Sequence, residues 1–311
     1  MTNELPSRAA ARPSFPSRVA AITILLVVAA ACSPAAAPSG SPPGSAPAST
    51  APTPTATPEP VGIEHPTGPT DVVLRMEEGG GFMPLEANAT SAPSFTLYGD
   101  GTVVFRDPYT LPPESNDDIR RSIPFLTFRL GEAGIQALLA DALGPGGLAI
   151  AKGPYHGMGA DIPTTTFTIN AEGGTKQVSV TGLSPDMHPQ NAAVVTVLSA
   201  YAERLRGFAD DVAGEQPYRP ATYRGILIPV DQPFGPVHAW PWPDIQPGEF
   251  VSGGNEFWLT RTMTAAEIAT LGITNIEGGM EGVALQSGGK IYTFALRPHL
   301  PEEIGEGPAI Q

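Results

Sequence analysis

The 311-residue sequence holds a single cysteine, Cys32, so no disulfide can form within the chain. Histidine is sparse too. His65, His156, His188, His238 and His299 stand apart, none three or four residues from another, and no HExxH occurs. That excludes a zinc pair on one helix face. There is no G-x-S-x-G, so a hydrolase nucleophile elbow has no candidate, and Gly289-Lys290 is followed by Ile291, so there is no Walker A loop. Positive charge is short as well: 17 Lys and Arg face 31 Asp and Glu, for a net charge of −14. A surface that acidic repels DNA, RNA and anionic lipid head groups, which excludes nucleic-acid partners and an electrostatic membrane patch.

What is present begins at Val19–Cys32, an apolar run of small and aliphatic residues that ends at the lone cysteine. Arg8, Arg12 and Arg18 precede it, with Glu4 as the one acid. A basic n-region, an apolar h-region and a small-residue end make up a secretory signal. The run is shorter than the ~20 residues that a spanning helix needs. The same residues also fit an ordinary cleaved signal or an uncleaved anchor helix. The ending Ala29-Ala30-Ala31-Cys32 resembles the lipobox of bacterial lipoprotein precursors. That resemblance implies cleavage just before Cys32, a diacylglyceryl group on its thiol, and a lipid-anchored protein on the extracytoplasmic face of the cell membrane. It also removes Cys32 as a nucleophile. Residues 1–31 carry a net +2, so the chain from Cys32 onward carries −16.

Residues 33–61 are almost wholly Pro, Ala, Ser, Thr and Gly, with no aromatic residue to start a core. Such a composition predicts a disordered tether of polyproline II character, at ~3.1 Å per residue several nanometres in reach.

The folded part is expected from Gly62. Asp71–Met76 reads as a strand, and Gly79-Gly80-Gly81 as a turn, because no helical pattern follows the glycines. Phe95–Tyr98 and Thr102–Arg106 flank Gly99-Asp100-Gly101, a β-hairpin. Phe125–Leu130 suits another strand. Glu132–Leu143 places Ile135, Leu138, Leu139 and Leu143 on one helical face, and Gly144-Pro145 ends it. Thr164–Ile169 and Thr175–Thr181 predict a second hairpin. Asn191–Phe208 predicts a second helix, with Val194, Val197, Leu198, Tyr201, Leu205 and Phe208 inward. Ile226–Val230 is a strand candidate, Thr264–Leu271 a short helix with capping-box spacing at Thr264 and Glu267, and Gly282–Gln286 with Lys290–Arg297 a third hairpin. The acidic tail after Pro298 reads as frayed. The expected class is α+β: antiparallel β-hairpins forming a sheet with two main helices packed on one face. Residues 62–212 make that domain, and residues 213–311 a C-terminal β-rich extension or subdomain.

No catalytic constellation, metal set or cofactor motif emerges. Ser287-Gly288-Gly289-Lys290 matches the S-x-x-K nucleophile motif of penicillin-binding proteins and β-lactamases, but that motif opens a helix, and here two glycines lie between strand-like runs. The stretch that reads as a binding surface is His238-Ala239-Trp240-Pro241-Trp242. In β geometry Trp240 and Trp242 share a face, and exposed they could stack on a sugar or a partner's prolines. Packed onto a sheet edge they would instead be core, with Pro241 blocking further pairing. Function therefore divides between a non-catalytic, lipid-anchored protein that binds a protein or glycan partner, a purely structural envelope component, and an envelope hydrolase whose residues come from distant parts of the chain.

Overall fold

In a computed structural model, residues 62–304 are described, apart from 118, 234, 254 and 255. The apolar run, Cys32 and residues 33–61 lie outside the described residues.

The first half is built from β1 (Val72–Gly79), α1 (Leu85–Ala89), β2 (Phe95–Tyr98), β3 (Thr102–Phe105), β4 (Leu126–Arg129), α2 (Glu132–Leu143), β5 (Tyr155–His156), β6 (Thr164–Ala171), β7 (Gly174–Thr181), α3 (Ala192–Arg206), α4 (Phe208–Asp211) and β8 (Gln216–Pro217). Its strands form one eight-stranded sheet in the order β5-β7-β6-β1-β2-β3-β4-β8. Only β5 and β7 pair in parallel. The period-2 alternation of strand side chains decides the faces. Leu74, Met76, Phe95, Leu97, Phe105 and Phe167 point to one side, where Ile135 and Leu139 of α2 and Val195, Leu198 and Leu205 of α3 join the same core. The opposite side of β6 and β7 carries Thr164, Thr166, Gln177 and Ser179. Glu172 and Gly173 turn β6 into β7, both with positive φ, as a two-residue hairpin turn requires.

The second half contributes β9 (Thr222–Val230), β10 (Val237–Ala239), β11 (Val251–Ser252), β12 (Leu259–Thr264), α5 (Ala265–Ala269), β13 (Met280–Ser287) and β14 (Lys290–Pro298). These strands form a separate six-stranded sheet, β10-β13-β14-β9-β12-β11. The described residues are thus mostly β in two sheets, rather than one sheet carrying helices. Edge chemistry accounts for the split. The first sheet ends on β5 and on β8, each two residues long, and β8 contains Pro217, which has no N–H to donate to a further strand. Later strands find no free ladder there and pair among themselves.

The described residues belong to one compact unit. α1 reaches the second sheet: Ala89 packs with Ile226, Ile228 and Ala295. Arg121 bridges to Met280, and Tyr98, Val104 and Phe125 of the first half enclose Leu300 of the second.

Four local expectations change. A five-residue helix, α1, does follow the glycine turn, starting after Pro84. α3 stops at Arg206, and Gly207 separates it from α4. Val195 rather than Val197 faces the core, Val197 being 37% exposed. The start of the tail is not frayed, since Leu300 is buried and Pro301–Glu303 forms a 3-10 turn.

Candidate functional site

The turn after β14 gathers charged groups from three strands, Arg75, Arg224 and Arg297, on Glu302 and Glu303. Pro298 and Pro301 end strand pairing, and burial of Leu300 draws the following turn onto the first sheet. The turn presents two carboxylates. Glu302 pairs with Arg75 of β1 and accepts a hydrogen bond from the Tyr98 hydroxyl at 2.5 Å. Glu303 accepts from Arg297 at 2.5 and 2.7 Å, from Arg224 at 2.7 Å and from the Leu300 amide at 2.9 Å. Both sheets therefore contribute arginines to one turn.

The electrostatics follow from this packing. Burial favours a protonated Glu303, but the hydrogen bonds and charge of Arg297, with Arg224 and the Leu300 amide, outweigh it and hold the carboxyl at about 2. Burial, helped by the Glu302 carboxylate, pushes the Tyr98 phenol far above its ordinary value and keeps it a donor. Burial lowers His299 to about 4, with Arg224 and Arg297 adding to the effect and Glu303 opposing it. His299 Nδ1 lies 2.9 Å from the Thr222 hydroxyl. Arg106 is brought down to about 10, first by burial and then by Arg297. Its guanidinium lies 4.0 Å over the Phe125 ring and donates to the Gly278 carbonyl at 3.2 Å. The Nε atoms of Arg106 and Arg297 are buried without an acceptor.

Beside this clasp opens a cleft of about 360 Å³, lined by Arg75, Glu77, Ser91, Thr164, Thr166 and Glu302 among others. β1 and β6 set its floor, where Glu77 stands directly opposite Thr166 and Gly79 opposite Thr164. The Thr164 hydroxyl is 2.9 Å from that of Thr181, and the Thr166 hydroxyl 3.0 Å from that of Ser179. Glu78 is held by Arg206 of α3.

No protein family, curated protein or solved structure matches this chain. Its chemistry is therefore read from its own residues.

The tryptophan stretch divides on exposure. Trp242 is 3% exposed, its indole N–H donates to the Glu267 carbonyl at 2.7 Å, and its ring meets Phe294 edge to face at 5.0 Å. Burial leaves its ring no face for a ligand. Trp240 is half-buried, 5.1 Å from Trp242 in an edge arrangement and close to Phe250 and Tyr292, and its N–H donates to the Ile245 carbonyl at 2.6 Å. Neither residue lies in a strand; the two rings pack against each other and onto Phe250, Tyr292 and Phe294. His238 is exposed on β10, a three-residue edge strand. Of the three residues that read as a binding surface, His238 and part of Trp240 remain open to solvent.

The other motifs resolve into structure. Ser287 and Lys290 face each other across the β13–β14 turn, with Gly288 and Gly289 at positive φ, so Ser287 does not open a helix. His188 is buried, its Nε2 2.9 Å from the carbonyls of Thr181 and Gly182. Among the described residues no three His, Cys, Asp or Glu side chains are grouped to hold a metal ion, and no helix is long and apolar enough to cross a membrane.

Sequence reasoning missed the cleft altogether. Arg75 and Glu302 are 227 residues apart in sequence, and neither belongs to a motif. The available signal was two adjacent acids, Glu302 and Glu303, placed directly after a Pro-bounded turn and an arginine-bearing strand.

Proposed function

We propose that this protein is a lipid-anchored extracytoplasmic binding protein without catalytic activity. A diacylglyceryl group on Cys32 holds it in the membrane. Residues 33–61 carry the folded unit away from the lipid surface. The cleft beside the C-terminal turn is the binding surface offered to a partner or ligand.

The observation that carries the anchoring is the ending Ala29-Ala30-Ala31-Cys32, placed behind three arginines and an apolar run in a chain with no other cysteine. The binding role draws on the cleft, a concavity of ligand size with polar groups from β1, β6 and the C-terminal turn.

Detergent-phase partitioning of the wild type and of Cys32→Ser, with mass analysis of the wild-type N-terminus, tests the anchor. The wild type is expected in the detergent phase with a diacylglyceryl cysteine at its N-terminus. Cys32→Ser is expected in the aqueous phase or as an uncleaved precursor. Equal partitioning of the two, with an unacylated wild-type N-terminus, would rule the anchor out.

A further inference from the structure

The charges in the cleft are unequally answered. Four glutamates belong to its lining: Glu77, Glu78, Glu302 and Glu303. Glu78 is paired with Arg206, Glu302 with Arg75, and Glu303 with Arg297 and Arg224. Glu77 has no ionic or hydrogen-bonding partner among the described residues. The two arginines in the lining, Arg75 and Arg297, are already engaged by carboxylates. An incoming phosphate or carboxylate would have to displace Glu302 or Glu303 before reaching them. Among the described residues Glu77 is thus the lining glutamate left open to a cation.

The neighbours of Glu77 narrow the cation further. Thr166 is its direct cross-strand partner, so both side chains rise from the same face of the sheet. Within each of the pairs Thr164–Thr181 and Thr166–Ser179, one hydroxyl donates to the other. Each pair therefore keeps one free O–H and several lone pairs, able to meet a ligand hydroxyl as donor or acceptor. Ser91 adds a further hydroxyl at the rim. Ala92, Pro93 and Leu300 are the apolar part of the lining, and no aromatic ring lines the cleft among the described residues, so a flat aromatic cation has nothing to stack on. At about 360 Å³ the space is at the small end of the ~300–1,000 Å³ range of ligand clefts. The net charge of −14 adds a long-range attraction for cations.

We infer that the cleft binds a small primary amine bearing at least one neighbouring hydroxyl, with its ammonium on Glu77 and its hydroxyl groups among Thr164, Thr166 and Ser91. This rests on the binding reading above and not on the anchor. An amino sugar and an amino alcohol share this chemistry.

Calorimetric titration of the full chain in detergent with glucosamine, ethanolamine, N-acetylglucosamine and glucose tests it. At least one of the two free amines is expected to bind. Stronger binding of glucosamine assigns the sugar, and stronger binding of ethanolamine assigns the amino alcohol. Masking the amine, as in N-acetylglucosamine, or substituting Glu77→Gln should each weaken binding about tenfold or more, the worth of a charge-assisted hydrogen bond. Thr166→Val should weaken it as well. Glu77 has no partner to lose, so Glu77→Gln should melt like the wild type and its loss of binding cannot be ascribed to misfolding. The inference fails if neither amine binds at millimolar concentration, if Glu77→Gln binds them undiminished, or if glucose binds as well as glucosamine. Partitioning and titration read different properties, so failure of the ligand class leaves the anchor standing.

Discussion

The Tyr98 hydroxyl donates to Glu302 at 2.5 Å, joining a fully buried ring of β2 to a carboxylate on the last described turn of the chain. The contact closes a loop of more than two hundred residues. It sits at the meeting of the two halves, where Leu300 is enclosed by Tyr98, Val104 and Phe125.

Removing the hydroxyl should therefore be felt globally. Tyr98→Phe keeps the ring but takes away a donor to a charged acceptor, a loss of ~1.5–3 kcal/mol. Glu302→Ala should cost more than Tyr98→Phe, because it strips partners from both Arg75 and Tyr98. Chemical denaturation of the two variants checks the order. Glu302→Ala unfolding at the wild-type midpoint would show that the turn is not held as described.

The same turn should make stability sensitive to acid in two steps. His299 is 4% exposed and lowered to about 4, so the unfolded chain, with a histidine near 6.5, takes up its proton first. Its contribution is present above about pH 6.5 and lost as pH falls toward 4. Glu303, lowered to about 2, contributes above its unfolded value near 4.5 and loses that as pH falls through 2. Each shift corresponds to ~3 kcal/mol at most, and the two groups interact, so the losses do not simply add. Melting temperature measured from pH 7 to pH 2 should fall in both windows. His299→Gln should flatten the upper one, and a variant with an unchanged upper window would refute its assignment to His299.

Local signals carried much of the fold. The α2 boundaries, the hairpin turns at Gly101, Glu172-Gly173 and Gly288-Gly289, and the Thr264–Glu267 capping box follow from period, glycine placement and cap chemistry, which act over a few residues. What was not legible is that the strands of the β-rich C-terminal stretch form a sheet of their own rather than extend the first. It depends on which edge β8 and β5 close, and Pro217 reads in sequence as a boundary residue rather than as the end of a ladder. α1 was missed because five residues are too few to show a helical period. The cleft was missed for a different reason. Glu77, Thr166 and Glu302 come from three elements, and only strand register and the path of the last turn place them together. The tryptophans were visible as a pair, but their burial depends on β10 pairing with β13.

The segment 33–61 lies outside the described residues, and its composition makes its own prediction. With no aromatic residue and little to bury, it should be the first region cut in limited proteolysis, leaving a resistant fragment that starts near Gly62. Ile63 is already held in the folded unit, since its amide donates to Gln136 at 2.8 Å and the Gln136 amide returns a bond to the Ile63 carbonyl at 3.0 Å. N-terminal sequencing of the resistant fragment reads the boundary. Protection of residues 33–61 would mean that they pack on the domain.

The tryptophan pair separates core from surface in one melting experiment. Trp242 fills the core of the second sheet between Trp240 and Phe294, and its N–H is bonded to the Glu267 carbonyl of α5. Trp242→Ala should cost ~3–5 kcal/mol, the range for truncating a buried aromatic ring. Trp240→Ala should cost less, since the ring is half-buried, and His238→Ala should cost within ~0.5 kcal/mol, as for an exposed residue without such features. The edge contact adds a further check. A double-mutant cycle on Trp240 and Trp242 should return a coupling of ~0.5–1.5 kcal/mol, the worth of an aromatic pair beyond its buried area. Additive effects would deny the contact, and a Trp242→Ala variant that melts with the wild type would return the ring to the surface. The stretch would then have to be read again with Trp242 as a surface ring beside the half-buried Trp240 and the exposed His238.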